Sequence, residues 1–258
     1  MEPLTAIFAA TEETVLTAAG IFARVGAFVF LMPGIGERGI PMRIRLGAAL
    51  ALTFLLSPLV RPLVEQTPSD VPGLALMLAA EAFAGLVIGF GFRMLVYALQ
   101  IAGTTAAFHL SLSHVFGTPV GDAEPTLATF LAMGGIVLAM AAGLHIQAVA
   151  ALAGLYDVLP FGQFPSGSDL ADLTVSRMAE VFAIGITLAF PFIAISFAYN
   201  LALGALSRAM PQLLVALIGV PLLVGLGLIT LWLSLPQIFE RWGAMLNAIF
   251  SNPLGSLG

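Results

Sequence analysis

The sequence contains no cysteine and no lysine, and charged residues make up only 9% of its 258 positions. Without cysteine, the protein has neither disulfide bonds nor thiol chemistry. Its nine basic residues are all arginines scattered along the chain, and fourteen carboxylates outnumber them. Because nucleic-acid binding depends on clustered basic residues, this composition argues against nucleic acid as a partner.

Hydrophobic residues take the place of the missing charges. They make up 60% of the chain, and the mean hydropathy is +1.06, far outside the range of soluble domains. The sequence therefore predicts an integral membrane protein. No polar stretch is long enough to form a separate soluble domain. Residues 1–13 contain no basic residue, so a cleavable signal peptide is not expected.

Six apolar segments follow one another, and each predicts a helix. They cover about residues 14–32, 44–59, 74–116, 126–156, 169–210 and 212–250. A membrane span needs about 20 residues, and the third, fifth and sixth segments are about twice that length. These helices are expected to kink or to rise out of the bilayer, with internal prolines as the kink sites in the last two: Pro191, Pro221 and Pro236.

The few charged residues inside these segments are expected to avoid lipid. Arg24 interrupts the first segment, where it should face protein, a water-filled cavity or the interface. In the third segment, polar and small residues share one helical face, which predicts a buried protein interface. Its members are Glu81, Gly85, Gly89, Arg93, Gln100 and Gly103. A proton relay at Glu81 is the alternative interpretation.

Signals for catalysis or for a bound cofactor are weak. Residues 34–39 formally match Gly-x-Gly-x-x-Gly, but no strand precedes them and Pro41 follows, so a dinucleotide site is not expected. His109, His114 and His145 lack the spacing of a metal site. Neither Gly-x-Ser-x-Gly nor His-Glu-x-x-His occurs. We therefore expect no metal, no cofactor and no enzymatic activity.

The apolar stretch from Phe190 to Pro221 carries the strongest signal. On a helix, its polar and small residues fall on one face; they are Ser196, Asn200, Gly204, Ser207 and Arg208. In lipid such a face favours a protein partner, because small residues allow backbones to approach and polar groups need hydrogen bonds.

Three groups of residues resemble one protein family. The first is Asn200-Leu201-Ala202-Leu203-Gly204 with Arg208, Pro211-Gln212-Leu213 and Ile218-Gly219-x-Pro221. The second is the basic loop Glu37-Arg38-x-x-Pro41-x-Arg43-x-Arg45-x-Gly47. The third is Gly143-x-His145 with Asp157-x-Leu159-Pro160-x-Gly162. Together they resemble the FliR family, the inner-membrane export-gate proteins of the bacterial flagellum, and the matching subunits of virulence type III secretion systems. One departure is Gly117-Thr118-Pro119, where the family often carries Asp-Pro.

The resemblance covers nearly the whole chain and implies an all-α integral membrane protein of long kinked helical hairpins, packed as one subunit of a helical export-gate assembly. It implies one domain over residues 1–258, with about 1–165 similar to FliP and about 166–258 similar to the FliQ hairpin. The implied partners are FliP and FliQ homologues, with FlhB and FlhA nearby, unfolded export substrates and membrane lipid. The implied location is the flagellar basal body in the bacterial inner membrane.

The implied function is passage of unfolded flagellar proteins across that membrane, and the equivalent subunit of a virulence system is the alternative. A small-solute transporter would instead need a site at broken helices, which Pro191 and Pro221 could supply. The candidate contact or gating residues are Arg38, Pro41, Arg43, Arg45, Glu81, Gly85, Gly89, Arg93, Gln100, Asn200, Gly204, Arg208, Pro211, Gln212 and Pro221.

Overall fold

The computed structural model describes residues 2–64, 67–68, 70–110, 126–164, 166–209 and 215–251. Within these ranges the regular structure is entirely helical. The helices are α1 (Glu2–Leu31), α2 (Met42–Val60), α3 (Val71–Leu110), α4 (Thr126–Ala141), α5 (Leu144–Val158), α6 (Gly167–Ala209) and α7 (Val215–Ser251), and a short 3₁₀ helix (Arg61–Leu63) follows α2.

Three of these helices are longer than a bilayer requires. Helices α3, α6 and α7 contain 40, 43 and 37 residues, or about 55 to 65 Å each at 1.5 Å per residue. The hydrocarbon core is only about 30 Å thick. Within the described ranges, five helices are long and apolar enough to cross a membrane, or six spans form if the bent pair α4 and α5 counts as one. The prediction of an all-α integral membrane protein with overlong helices is confirmed.

The first compact unit contains α1, α2, α3 as far as Arg93, α5, and the start of α6. The buried faces of α1 and α3 follow the helical repeat. On α1 this face is Ile21, Val25, Phe28 and Val29, with the buried Met32 directly after the helix, and on α3 it is Met77, Ala80, Ala84, Ile88 and Phe92. The rings of Phe28 and Phe92 meet edge to face with their centroids 6.1 Å apart. Apolar packing therefore holds α1 against the N-terminal half of α3.

The second unit contains α3 from Met94 onward, α4, the larger part of α6 and nearly all of α7. Glycines bring these helices close together. A Cβ atom on Gly103 would lie 2.5 Å from the Cα of Ala128 in α4. Trp242 of α7 is buried and donates from Nε1 to the carbonyl of Leu95 in α3 at 2.8 Å. Small residues and one side-chain hydrogen bond thus join three helices, as is common between helices in membranes.

Three boundaries differ from the sequence expectation. Helix α1 begins at Glu2, about twelve residues before the predicted start. The single helix predicted over about residues 126–156 is wrong, because Gly143 separates α4 from α5 and the two helices differ in direction by 73°. Gly143 has φ +88°, a left-handed conformation that glycine adopts without strain. The basic loop also ends earlier than predicted, since α2 begins at Met42 and places Arg43 and Arg45 on a helix. The predicted end of the third segment and the residues Gly117–Pro119 lie outside the described ranges.

Candidate functional site

A buried ion pair joins α1 to α3 in the first unit. The guanidinium of Arg24 donates from Nε to Oε2 of Glu81 at 2.9 Å and from Nη2 to Oε1 at 2.8 Å. Both side chains are 0% exposed. A two-point contact is a strong arrangement for arginine and carboxylate. Arg24 therefore faces protein, one of the three environments expected for it.

The segment that ends α5 completes this site. Nη2 of Arg24 also donates to the carbonyl of Leu159 at 3.1 Å, and the N–H of Gly162 donates to Oε1 of Glu81 at 2.8 Å. The Tyr156 ring centroid lies 3.7 Å from the guanidinium carbon, in cation–π contact. These five residues, Arg24, Glu81, Tyr156, Leu159 and Gly162, form the Arg24–Glu81 cluster. Through these contacts the ion pair holds α1, α3 and the end of α5 together.

Two glycines of α3 set the distance at which this pair can form. A Cβ atom on Gly85 would lie 2.0 Å from the backbone oxygen of Arg24, and one on Gly89 would lie 3.0 Å from the Cβ of Leu31. Any larger residue at position 85 would push α1 away. The polar stripe of α3 thus contains both the charged partner and the small residues that bring it within reach.

The electrostatics of the cluster favour a structural role. A single buried charge is costly, and removal of one partner from a buried pair typically costs about 3–5 kcal/mol. Both carboxylate oxygens of Glu81 accept hydrogen bonds from Arg24, and Oε1 accepts a third from Gly162. This arrangement supports a buried interface on α3, here within the chain itself.

A second charged cluster ties down the loop between α1 and α2. Arg93 of α3 pairs with the carboxylate of Glu37, and Arg45 of α2 donates to the Glu37 carbonyl. The guanidinium of Arg45 also lies 5.8 Å from the ring centroid of Phe30. Glu37 therefore holds the loop against both helices. The other predicted residues of this region are exposed: Arg38, Pro41 and Arg43.

The polar face of α6 is arranged differently. The amide of Asn200 donates to the carbonyl of Ser196 at 2.9 Å, within the same helix. The Tyr199 hydroxyl donates to the carbonyl of Gly219 at 2.5 Å and so links α6 to α7. The predicted residues of these two helices are exposed: Asn200, Gly204, Arg208 and Pro221. Pro211 and Gln212 lie outside the described residues.

The structure therefore divides the predicted residues into groups. Glu81, Gly85 and Gly89 meet α1, and Arg45 and Arg93 meet at the first loop. Gln100 is half-buried in the second unit.

Sequence reasoning missed Tyr156 altogether and treated Leu159 and Gly162 only as part of a family motif. No helical periodicity connects a loop to helices that lie 80 and 135 residues away, so spacing gave no signal for this contact. Within the described residues, no group of three or more metal-ligating side chains occurs.

These features define a class: an integral membrane protein of overlong helices whose buried charges connect its own segments. The sequence agrees with one family in that class. The model of "Bacterial export proteins, family 1" matches residues 15–249. The chain belongs to this family.

Three similar proteins carry the name "Flagellar biosynthetic protein FliR". The protein of Caulobacter vibrioides is 40% identical over 235 residues, which cover 90% of this chain and 94% of that protein. The Escherichia coli K12 protein is 30% identical, with 88% and 87% covered, and the Aquifex aeolicus protein is 31% identical, with 88% of each covered. The chain is thus a membrane-embedded subunit of the flagellar type III export gate, as the resemblance implied.

Proposed function

We propose that the chain is a structural subunit of a hetero-oligomeric channel in the bacterial inner membrane, with FliP and FliQ homologues as neighbours and with FlhB and FlhA nearby. The channel passes unfolded flagellar proteins, and this subunit catalyses no reaction. About residues 1–165 take the place of a FliP-like subunit, and about residues 166–258 form a FliQ-like hairpin. The hydrogen bond from the Tyr199 hydroxyl of α6 to the Gly219 carbonyl of α7 supports such a hairpin.

The observation that carries this proposal is the exposed Arg208 near the end of α6. Exposed apolar residues precede it on the same helix, including Phe197 and Leu201. Within the described residues, Arg208 has no hydrogen bond and no ion pair. Next to these exposed apolar residues the guanidinium loses part of its hydration, and this costs free energy. A carboxylate or carbonyl of a neighbouring subunit would offset that cost.

The first unit supplies both a frame and a contact surface in this proposal. Residues with partners inside the chain position the frame, namely Arg45, Glu81, Gly85, Gly89 and Arg93. The exposed residues of the first loop face neighbouring subunits, namely Arg38, Pro41 and Arg43. The exposed α6 residues Asn200, Gly204 and Arg208, together with Pro211, Gln212 and Pro221, form a second contact surface. Gln100 is half-buried and serves packing within the second unit.

Substitution of Arg208 tests the proposal. Arg208→Ala should insert into the membrane at the wild-type level, yet it should lose co-purification of the neighbouring subunits and swimming motility. The control is Arg61→Ala. Arg61 is exposed, and its one described hydrogen bond is donated by Nη2 to the hydroxyl of Thr14. Complementation of a strain lacking the gene gives motility in soft agar, and affinity purification gives the complex yield. Normal motility together with normal complex yield in Arg208→Ala would contradict the proposal.

A further inference from the structure

A groove opens between α6 and α7 in the second unit, beside Pro191 of α6. Its volume is about 350 Å³, and residues of both helices line it. The helices run antiparallel here. The Tyr199 hydroxyl donates to the carbonyl of Gly219, near the N-terminal end of α7. Pro191 and Gln237 line the groove together, earlier in α6 and later in α7.

One wall of the groove carries three side chains that can donate hydrogen bonds. Ser234, Gln237 and Arg241 line it from α7, and their i, i+3, i+7 spacing places them on one helical face. In the described part of the chain, none of the three has a hydrogen-bond or ion-pair partner. The groove therefore presents one full positive charge and two neutral donors without a ligand from the chain itself.

The α6 wall is mainly apolar and brings no opposing charge. It consists of Ile186, Thr187, Leu188, Phe190 and Pro191. The Thr187 hydroxyl already donates to the carbonyl of Ala183 at 2.6 Å. None of the described residues that line the groove is acidic. Charge complementarity thus favours an anion at the α7 wall and an apolar chain at the α6 wall.

The position of the groove along the helices matches the edge of a bilayer. Between Glu180 and Arg208, α6 has no charged residue, and α7 has none before Glu240. The 21 residues from Leu188 to Arg208 span about 30 Å of helix, which equals the thickness of the hydrocarbon core. If Arg208 lies at one interface, the groove lies at the other, at the level of lipid headgroups.

We propose that this groove binds one anionic phospholipid. Its phosphate contacts the three α7 donors, and the beginning of one acyl chain lies along the apolar α6 wall. The groove, at about 350 Å³, holds a headgroup and part of a chain. The inference does not depend on the subunit contacts proposed above.

Lipid retention by the purified full-length chain tests this site. The chain is reconstituted with phosphatidylglycerol or with phosphatidylcholine, washed with detergent, and the retained lipid is counted by native mass spectrometry. The variants are Arg241→Gln, which removes the charge, and Ile186→Trp, which fills the groove and keeps the charge. The matched control is Arg38→Gln, an exposed arginine remote in sequence from the groove. Helix content by circular dichroism confirms that each variant is folded.

We expect the wild type and Arg38→Gln to retain phosphatidylglycerol over phosphatidylcholine. Arg241→Gln should retain about fivefold less phosphatidylglycerol, the effect of one basic residue at an anionic surface. Ile186→Trp should lose retention because its ring fills the groove. Millimolar inorganic phosphate should not displace the lipid. Equal retention of the two lipids, wild-type retention by folded Arg241→Gln, or wild-type retention by folded Ile186→Trp would each overturn the proposal. Displacement by phosphate would also overturn it and would identify a site for free anions. If the wild-type chain retains neither lipid, the proposal is also refuted, and a carboxylate of another subunit becomes the expected ligand of the groove.

Discussion

Removal of the buried arginine tests whether the Arg24–Glu81 cluster holds the first unit together. Arg24→Met keeps a long apolar side chain but deletes three donated hydrogen bonds, two to Glu81 and one to the carbonyl of Leu159. The carboxylate of Glu81 then keeps only the N–H of Gly162. It is left as an almost uncompensated charge at a site with 0% exposure.

The expected loss is large because the carboxylate cannot reach water without opening the helix interface. Breakage of a buried pair costs about 3–5 kcal/mol, or roughly a 10²- to 10⁴-fold change in the folding equilibrium. The double variant Arg24→Met/Glu81→Leu removes both charges, so most of this penalty should disappear. The carbonyl of Leu159 and the N–H of Gly162 lose these partners, so part of the penalty remains. The double variant should therefore lie between the wild type and the single variant.

The measurement is reversible unfolding of the purified chain in mixed micelles with increasing sodium dodecyl sulfate, followed by circular dichroism. Arg38→Met serves as the control, because Arg38 is exposed and should change the free energy of unfolding by no more than about 0.5 kcal/mol. A single variant within about 1 kcal/mol of the wild type would refute the structural role. The single variant Glu81→Leu completes the comparison. If the loss of stability in the double variant equals the sum of the losses in Arg24→Met and Glu81→Leu, the two charges are not coupled.

Two further predictions use the same unfolding measurement. Gly85→Ala places a methyl group 2.0 Å from an α1 carbonyl oxygen and should lower the free energy of unfolding by about 1–3 kcal/mol. Gly26→Ala is the control, because its methyl group meets nothing within 4 Å; it should be neutral or slightly stabilising. Equal effects at the two glycines would contradict the close approach of α1 and α3. Trp242→Phe removes the hydrogen bond to the carbonyl of Leu95, which keeps its partner within α3, and should cost about 0.5–1.5 kcal/mol. Trp232→Phe, at a residue 76% exposed, should have little effect. If the Trp242 variant is as stable as the Trp232 variant, this hydrogen bond does not stabilise the second unit.

Several structural properties could be predicted from the sequence because they depend on composition and spacing. Long apolar segments require helices, since in lipid a backbone has to satisfy its own hydrogen bonds. Helical periodicity placed Glu81, Gly85 and Gly89 on one face of α3, and the cost of a charge in lipid predicted that Arg24 avoids it. The family motifs added the function, which the comparisons confirmed.

Other properties could not be predicted in this way. The uncharged fourth segment gave no warning that Gly143 turns the chain by 73° between α4 and α5, because a glycine inside an apolar run is equally compatible with a straight helix. Arg45 and Arg93 were grouped with Arg38 and Arg43 as contact candidates, yet only the first two meet Glu37. Spacing along a chain does not say which charges find each other.

The sequence alone determined that the chain is a helical membrane protein, that several of its helices exceed one bilayer, and that its buried charges need partners. Those properties follow from the free energy of apolar and charged groups in lipid, which is a property of each segment by itself. The tertiary structure alone decided that Arg24 pairs with Glu81, that the end of α5 closes over them, and that three donors on α7 line a groove beside Pro191. These contacts join residues far apart in sequence, and they exist only once helix packing has brought those residues within hydrogen-bond distance.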